Sequence, residues 1–300
     1  MTVLHVPQKL QLSTKQFLLN CLAICKIKVV LMLVLTAWIG IALAPDMQRD
    51  WLSQVMSLLG IGLLSASAAA VNHIVDREID KKMARTRHRP IASAQLSIAN
   101  ALIFAFTLAV IGCAMLIIWS NVLCTLLTLG ALVGYAVIYT LFLKRATPQN
   151  IVIGGLAGAM PPLLGWVSET GYLSAPPWLL VMIIFTWTPP HFWALAIARR
   201  KDYQRANIPM LPVTHGVSFT KLCIIAYSIL LAIVCLLPYL IGMSGWIYVL
   251  SASVLNVLFI SKSIRLYWSD SEQQAMALFR FSISYLLLLF IALFIDKWWL

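Results

Sequence analysis

Asn72, Asp76 and Asp80 stand four residues apart in the stretch Ala68-Ala-Ala-Val-Asn72-His-Ile-Val-Asp76-Arg-Glu-Ile-Asp80. On a helix that spacing puts one amide and two carboxylates on a single face. Carboxylates one turn apart repel by roughly 0.2–0.5 kcal/mol unless a cation lies between them. Mg2+ is a hard ion that takes one or two carboxylates together with phosphate oxygens and water. The three side chains therefore suit a metal–diphosphate complex, with Asp76 and Asp80 as ligands and Asn72 beside them. The plain alternative is a solvated helix end whose acids pair with Arg77, Lys81 and Lys82. The small residues at 65–70 let neighbouring helices approach closely, which favours a packed site. Arg85 and Arg89, again four apart, add forks able to grip phosphate or carboxylate, whereas Lys81, Lys82 and Arg87 read as charges that set topology.

A second group closes with Thr188-Pro-Pro-His191-Phe-Trp193, followed by Arg199-Arg-Lys201-Asp202-Tyr203. A Pro-Pro pair inside an apolar run breaks the hydrogen-bond ladder, which is tolerated against protein or a cavity. A lone His such as His191 is usually a hydrogen-bonded structural residue; its alternative is a ligand contact. Tyr139, Lys144, Arg145, Gln149 and Asn150 bring further polar groups to the same end of the chain.

The elements that must position these residues are membrane helices. The 300 residues are 61% hydrophobic and 11% charged, against about a quarter charged in a soluble domain. Apolar runs near the ~20 residues that cross a bilayer recur at 26–44, 53–71, 98–119, 121–143, 150–167, 176–198, 219–242, 245–261 and 278–296. These nine spans leave no room for a second folded domain, and with no ten-residue alternation to suggest a barrel the fold class is an all-α polytopic bundle.

A net charge of +12 invites a nucleic-acid reading, but the basic residues are sorted by side. Twenty of the 22 Lys and Arg, from Lys9 to Arg280, fall on one side of the spans, and only Arg49 and Lys297 on the other. The positive-inside rule then makes the N-terminus cytoplasmic and the C-terminus periplasmic, with the chemistry facing the cytoplasm and the outer loops short and almost featureless. Residues 1–25 show neither a signal peptide nor a transit peptide, which points to a bacterial inner membrane. The six cysteines lie in or beside apolar runs with no CxxC pair, as buried thiols do.

Asn72-x3-Asp76-x3-Asp80 after a span, within a nine-span chain, resembles the first Asp-rich motif of the UbiA superfamily of intramembrane prenyltransferases. Arg85-Thr-Arg-His-Arg89-Pro, Tyr139-x4-Lys144-Arg145 with Pro148-Gln-Asn150 and Gly154-Gly155, and the block from Thr188 to Pro212 are similar to its haem O synthase branch. The resemblance covers about residue 28 to the C-terminus. It implies a prenyltransferase domain over 26–300 behind an N-terminal segment 1–25, with haem B and farnesyl diphosphate as substrates, Mg2+ as cofactor, and a haem A synthase or terminal oxidase as the receiving partner.

Residue by residue, the resemblance implies that Asp76 and Asp80 hold Mg2+ with Asn72 orienting, and that Arg77, Lys144 and Lys201 clamp the diphosphate with Asp202 near them. Arg85 and Arg89 face the haem propionates, His191 meets haem iron or its vinyl group, and Trp193 lines the cavity, with Tyr139, Tyr203 and Asn150 as further substrate contacts. Many superfamily members carry a second Asp-x3-Asp pair; here Asp202 is followed four residues on by Ala206, which removes one carboxylate from a second metal. The rival readings are a sister prenyltransferase acting on an aromatic acid or quinone precursor, a transporter, and a non-catalytic haem-binding subunit. A transporter calls for internal repeats and deep charges, and a subunit has no need of the acidic stripe.

Overall fold

The computed structural model describes residues 13–45, 49–269 and 271–299, without the Arg145 side chain. Lys9 and the first half of the expected N-terminal segment lie outside them. Among the described residues the regular structure is entirely helical. The short α1 (Thr14–Ile24) meets α2 (Ile27–Leu43) at a 51° bend. Then come α3 (Trp51–Val75), α4 (Arg77–Lys82), α5 (Ile98–Trp119), α6 (Val122–Val133), a π-helical continuation (Gly134–Leu143) and α7 (Lys144–Ala146). The chain goes on through α8 (Asn150–Ala159), α9 (Pro161–Thr170), α10 (Pro176–Ala198), α11 (Arg200–Arg205), α12 (Leu211–Thr214), α13 (Val217–Val234), α14 (Leu237–Leu240), α15 (Trp246–Tyr267) and α16 (Glu272–Lys297). Eight spans are long and apolar enough to cross a bilayer, and the bent α1–α2 pair makes nine, in line with the sequence.

Neighbouring spans pack in chain order and α16 returns to α2, so the bundle closes on itself. At that closure Trp38 meets Phe294 at 4.7 Å and Lys297 Nζ donates to the Ala44 carbonyl at 3.0 Å. The tightest crossing is between α2 and α9. A Cβ on Gly40 would lie 1.9 Å from the Pro162 oxygen, and one on Gly165 1.8 Å from the Ala37 oxygen; only glycine allows backbones that close. Lipid-facing surfaces keep large apolar side chains, such as Phe106, Ile118, Leu126 and Leu250, exposed.

Two carboxylates correct the expectation that the end of the bundle opposite the motif is featureless. Glu169 is buried and accepts from Arg49 N at 2.8 Å and Gln54 Nε2 at 3.2 Å. Asp296, also buried, accepts from the Gly245 and Tyr248 amides and so caps the first turn of α15 from another helix. Asp296 satisfies helix-end groups that lipid leaves unpaired, and Glu169 ties the segment before α3 to the end of α9.

Candidate active site

α3 runs past the expected end of its span to Val75, and α4 continues the winding after Asp76, whose φ and ψ remain in the right-handed helical region. Asp80 N donates to the Asp76 carbonyl at 2.8 Å. The stripe therefore exists as spacing predicted, and it is buried: Asn72, Asp76 and Asp80 are 3%, 1% and 4% exposed. That burial is what separates it from a solvated helix end.

Each motif side chain carries its own cation. Lys144 Nζ donates to Asp76 Oδ2 at 2.5 Å, and Arg89 spans both oxygens of Asp80 at 3.0 and 2.9 Å. Lys26 Nζ donates to Asn72 Oδ1 at 2.8 Å, while Asn72 Nδ2 donates to Asp76 Oδ2 at 2.9 Å and to Thr140 Oγ1 at 3.2 Å. Three cations against two carboxylates leave one unit of positive charge on the stripe and its direct partners. Asp76 Oδ1 is buried with no hydrogen-bond partner, an arrangement that costs free energy until a cation or donor arrives.

The elements around the stripe explain how the cations reach it. Lys26 stands at the bend between α1 and α2 with φ of 50°, a left-handed conformation uncommon outside glycine. In the π-helical stretch Thr140 Oγ1 donates to the Tyr135 carbonyl five residues back at 2.7 Å. This wide winding, which often marks functional sites, sets Thr140 and Lys144 toward α3. Tyr135 and Tyr139 stack at 5.6 Å, and the Tyr139 ring lies so close to Gly154 that a Cβ there would be 2.1 Å from it. Asn150 is buried behind Lys144, with Nδ2 donating to the Thr147 carbonyl at 2.8 Å and Oδ1 unpartnered. Below the stripe, Ile79 and Met83 pack with Tyr203, Ala206, Ile208 and Met210, which joins α11 and the segment after it to the motif helix. Burial pushes the Tyr203 phenol above its ordinary range, so it stays a neutral donor.

The sequence-derived site residues thus fall into two groups. Asn72, Asp76, Asp80, Arg89 and Lys144 are joined by hydrogen bonds; Tyr139 lies within electrostatic reach of Asp76 and Tyr203 of Arg89, while Arg85 lies within reach of Lys26 and Tyr203. Arg77 turns away, its guanidinium on the Ile74 carbonyl at 3.3 Å and on exposed Glu78 at 3.5 Å. Lys201 is exposed and Asp202 half-buried. His191 is held between Trp187 and Phe279, with ring centroids at 4.2 and 4.6 Å, and its Nδ1 meets Ser282 Oγ at 2.6 Å. Trp193 faces the other way, edge-on to Tyr227 at 5.3 Å, with its indole nitrogen buried and unpartnered. Among the described residues no hydrogen bond or ring contact joins His191 or Trp193 to the stripe.

The UbiA prenyltransferase family profile matches residues 33–294. This chain belongs to the UbiA prenyltransferase family. Relatives agree: it is 67% identical over 291 residues to "Protoheme IX farnesyltransferase 2" of Pseudoalteromonas translucida, covering 96% of this chain and 94% of that one. It is 61% identical over 276 residues to "Protoheme IX farnesyltransferase" of Psychromonas ingrahamii, covering 92% and 89%. A structure of a digeranylgeranylglyceryl phosphate synthase superposes with a TM-score of 0.78 at 17% identity, over 95% of this chain and all of that one. A UbiA homolog from Archaeoglobus fulgidus, solved with GPP and Mg2+ bound, gives 0.63 at 14% identity over 91% and 99%. The last two likenesses show the fold.

In this UbiA-family chain the sequence reading missed Lys26, Thr140 and His73. Lys26 looked like one more topogenic charge, and Thr140 drew no reading within the stretch from Tyr139 to Lys144. His73 was hidden because α3 is longer than the apolar run that announced it, so His191 is not the only histidine inside a span.

Proposed function

We propose that the chain transfers the farnesyl group of farnesyl diphosphate to a vinyl group of haem B, giving haem O and diphosphate. The observation that carries this reading is the buried Asn72–Asp76–Asp80 stripe with a cation on each member, an unpartnered Asp76 oxygen and a net positive charge. Relatives at 61–67% identity bear the protoheme IX farnesyltransferase name.

The donor set fits Mg2+: it consists of hard carboxylate and amide oxygens, one of them lacking a partner. Asp76 and Asp80 would hold the ion with Asn72 beside them, and the ion would supply neutralisation of charge developing on the leaving diphosphate. Lys144, Arg89 and Lys26 bind phosphate oxygens by charge-assisted hydrogen bonds once released from Asp76, Asp80 and Asn72. They act in a buried setting, where fixed charges count for more than in water. In the balanced reaction the C1–O bond of farnesyl diphosphate breaks and C1 bonds the terminal vinyl carbon. A water oxygen adds to the inner vinyl carbon and loses its proton. Apolar walls must exclude other water until that bond forms, a role we assign to the stacked rings of Tyr135 and Tyr139. Arg85 is assigned to the propionates. Arg77 and Lys201 lie farther from this arrangement, and their part is at the rim.

We further infer that the motif end faces the cytoplasm of a bacterial inner membrane, with the N-terminus inside and the C-terminus in the periplasm; the sorting of basic residues supports it. Residues 26–300 form the transferase domain. Asp76→Asn and Asp80→Asn should each lower prenyl transfer at least 100-fold, while circular dichroism and micelle unfolding show a folded chain. Full turnover in both variants, or turnover on an aromatic acid with none on haem, would reject this function.

A further inference from the structure

His73 is 97% buried, and neither ring nitrogen meets a hydrogen-bond partner. His191, also buried, has both ring faces filled by aromatics and its Nδ1 met by Ser282. His73 has neither. At about 100° per residue it projects about 20° from Asp80, about 60° from Asp76 and about 100° from Asn72, which places it at the Asp80 edge of the stripe.

The charged groups that bear on the His73 ring are Lys26, Arg89 and Lys144. These are the three cations that hold Asn72, Asp80 and Asp76. The ring therefore stands within electrostatic reach of all three cations of the site, in a field that favours an anion. Among the described residues no set of three His, Cys, Asp or Glu side chains converges to hold a metal, which speaks against His73 as a third ligand beside the two aspartates. A neutral imidazole always offers one N–H, and an N–H stranded beside three cations is completed by an anionic oxygen.

We propose that His73 binds the diphosphate: one ring N–H donates to a phosphate oxygen of the prenyl diphosphate, beside the cations that bind it by charge. The assignment rests on the function proposed above. It makes His73 a substrate-binding residue for the diphosphate and not for the haem.

The test is calorimetric titration of the full chain in detergent with inorganic pyrophosphate and Mg2+, comparing wild type, His73→Leu, His73→Asn and Asp76→Asn. His73→Leu is expected to bind pyrophosphate about tenfold more weakly. His73→Asn, which keeps a donor, is expected to recover to within about threefold. Titration with zinc protoporphyrin, which carries the carboxylates of haem without diphosphate, should give one affinity for all three His73 forms. Wild-type affinity in folded His73→Leu overturns the proposal while leaving the parent function standing, provided Asp76→Asn loses pyrophosphate. Loss of porphyrin affinity alone also overturns it, because it moves His73 to the propionates. Absence of pyrophosphate binding in the wild type overturns the parent reading and this one together. Should His73→Leu fail to fold, nitrogen NMR of histidine-labelled wild type decides. The resonance missing in His73→Asn should shift on adding pyrophosphate, and an unmoved resonance overturns the assignment.

Discussion

Replacing Lys144 by Met removes the cation from a carboxylate that is already short of partners. Asp76 is 1% exposed, its Oδ1 bonds nothing, and without Lys144 its Oδ2 keeps only the 2.9 Å donation from Asn72. Breaking a buried pair by deleting one partner costs ~3–5 kcal/mol, and the surviving Asn72 bond places Lys144→Met near ~3 kcal/mol. Asp76→Asn is milder, ~1 kcal/mol, because the Lys144 side chain, 18% exposed, can turn to water and the amide still accepts hydrogen bonds. The double variant removes the stranded charge, so its cost should be ~2 kcal/mol where simple addition gives ~4, a coupling of ~2 kcal/mol. The assay is reversible unfolding in mixed micelles followed by far-ultraviolet circular dichroism, on all four proteins at one pH and ionic strength. Excess Mg2+ should restore Lys144→Met more than wild type, since it supplies the missing cation. Additivity within ~0.5 kcal/mol would refute the pair as the support of Asp76.

Gly165→Ala should lower the midpoint of thermal unfolding sharply, by the equivalent of ~1–3 kcal/mol or more, because its Cβ would overlap the Ala37 carbonyl. Gly158→Ala, which meets nothing within 4 Å, should be neutral or stabilising in the same melt. His191→Leu should cost stability through the lost Ser282 contact and ring stack, yet leave haem absorbance and affinity within about threefold; loss of the haem spectrum would restore iron ligation as its role.

Much of this fold was legible because the bilayer demands it: nine apolar runs and a one-sided distribution of Lys and Arg follow from lipid as solvent. The stripe was legible too, since a spacing of four fixes a face whatever the tertiary structure does. Its partners were less so. Arg89 lies nine residues from Asp80 and was found as a cation, but Lys26 lies 46 residues from Asn72 in sequence and reaches it only through a left-handed residue at a helix bend. Lys144 meets Asp76 from the end of a π-helical stretch, and no spacing rule announces that winding. Attention to residues four apart passed over His73, although a helical wheel brings it to the Asp80 edge of the stripe. Glu169 and Asp296 resembled ordinary loop and terminal charges because their partners, the Arg49 amide with Gln54 and the first amides of α15, come near only when distant helices meet. Pairing Arg77 with the diphosphate failed to foresee the local competition from Glu78 and the Ile74 carbonyl.

The most direct test of the central claim is incubation of the purified protein with haem B, farnesyl diphosphate and Mg2+ in 18O-labelled water, followed by mass analysis of the haems. The account predicts a haem heavier by one farnesyl group and one 18O-labelled hydroxyl, absent when EDTA is present. Unchanged haem, with the farnesyl group appearing on another acceptor or on none, would contradict it.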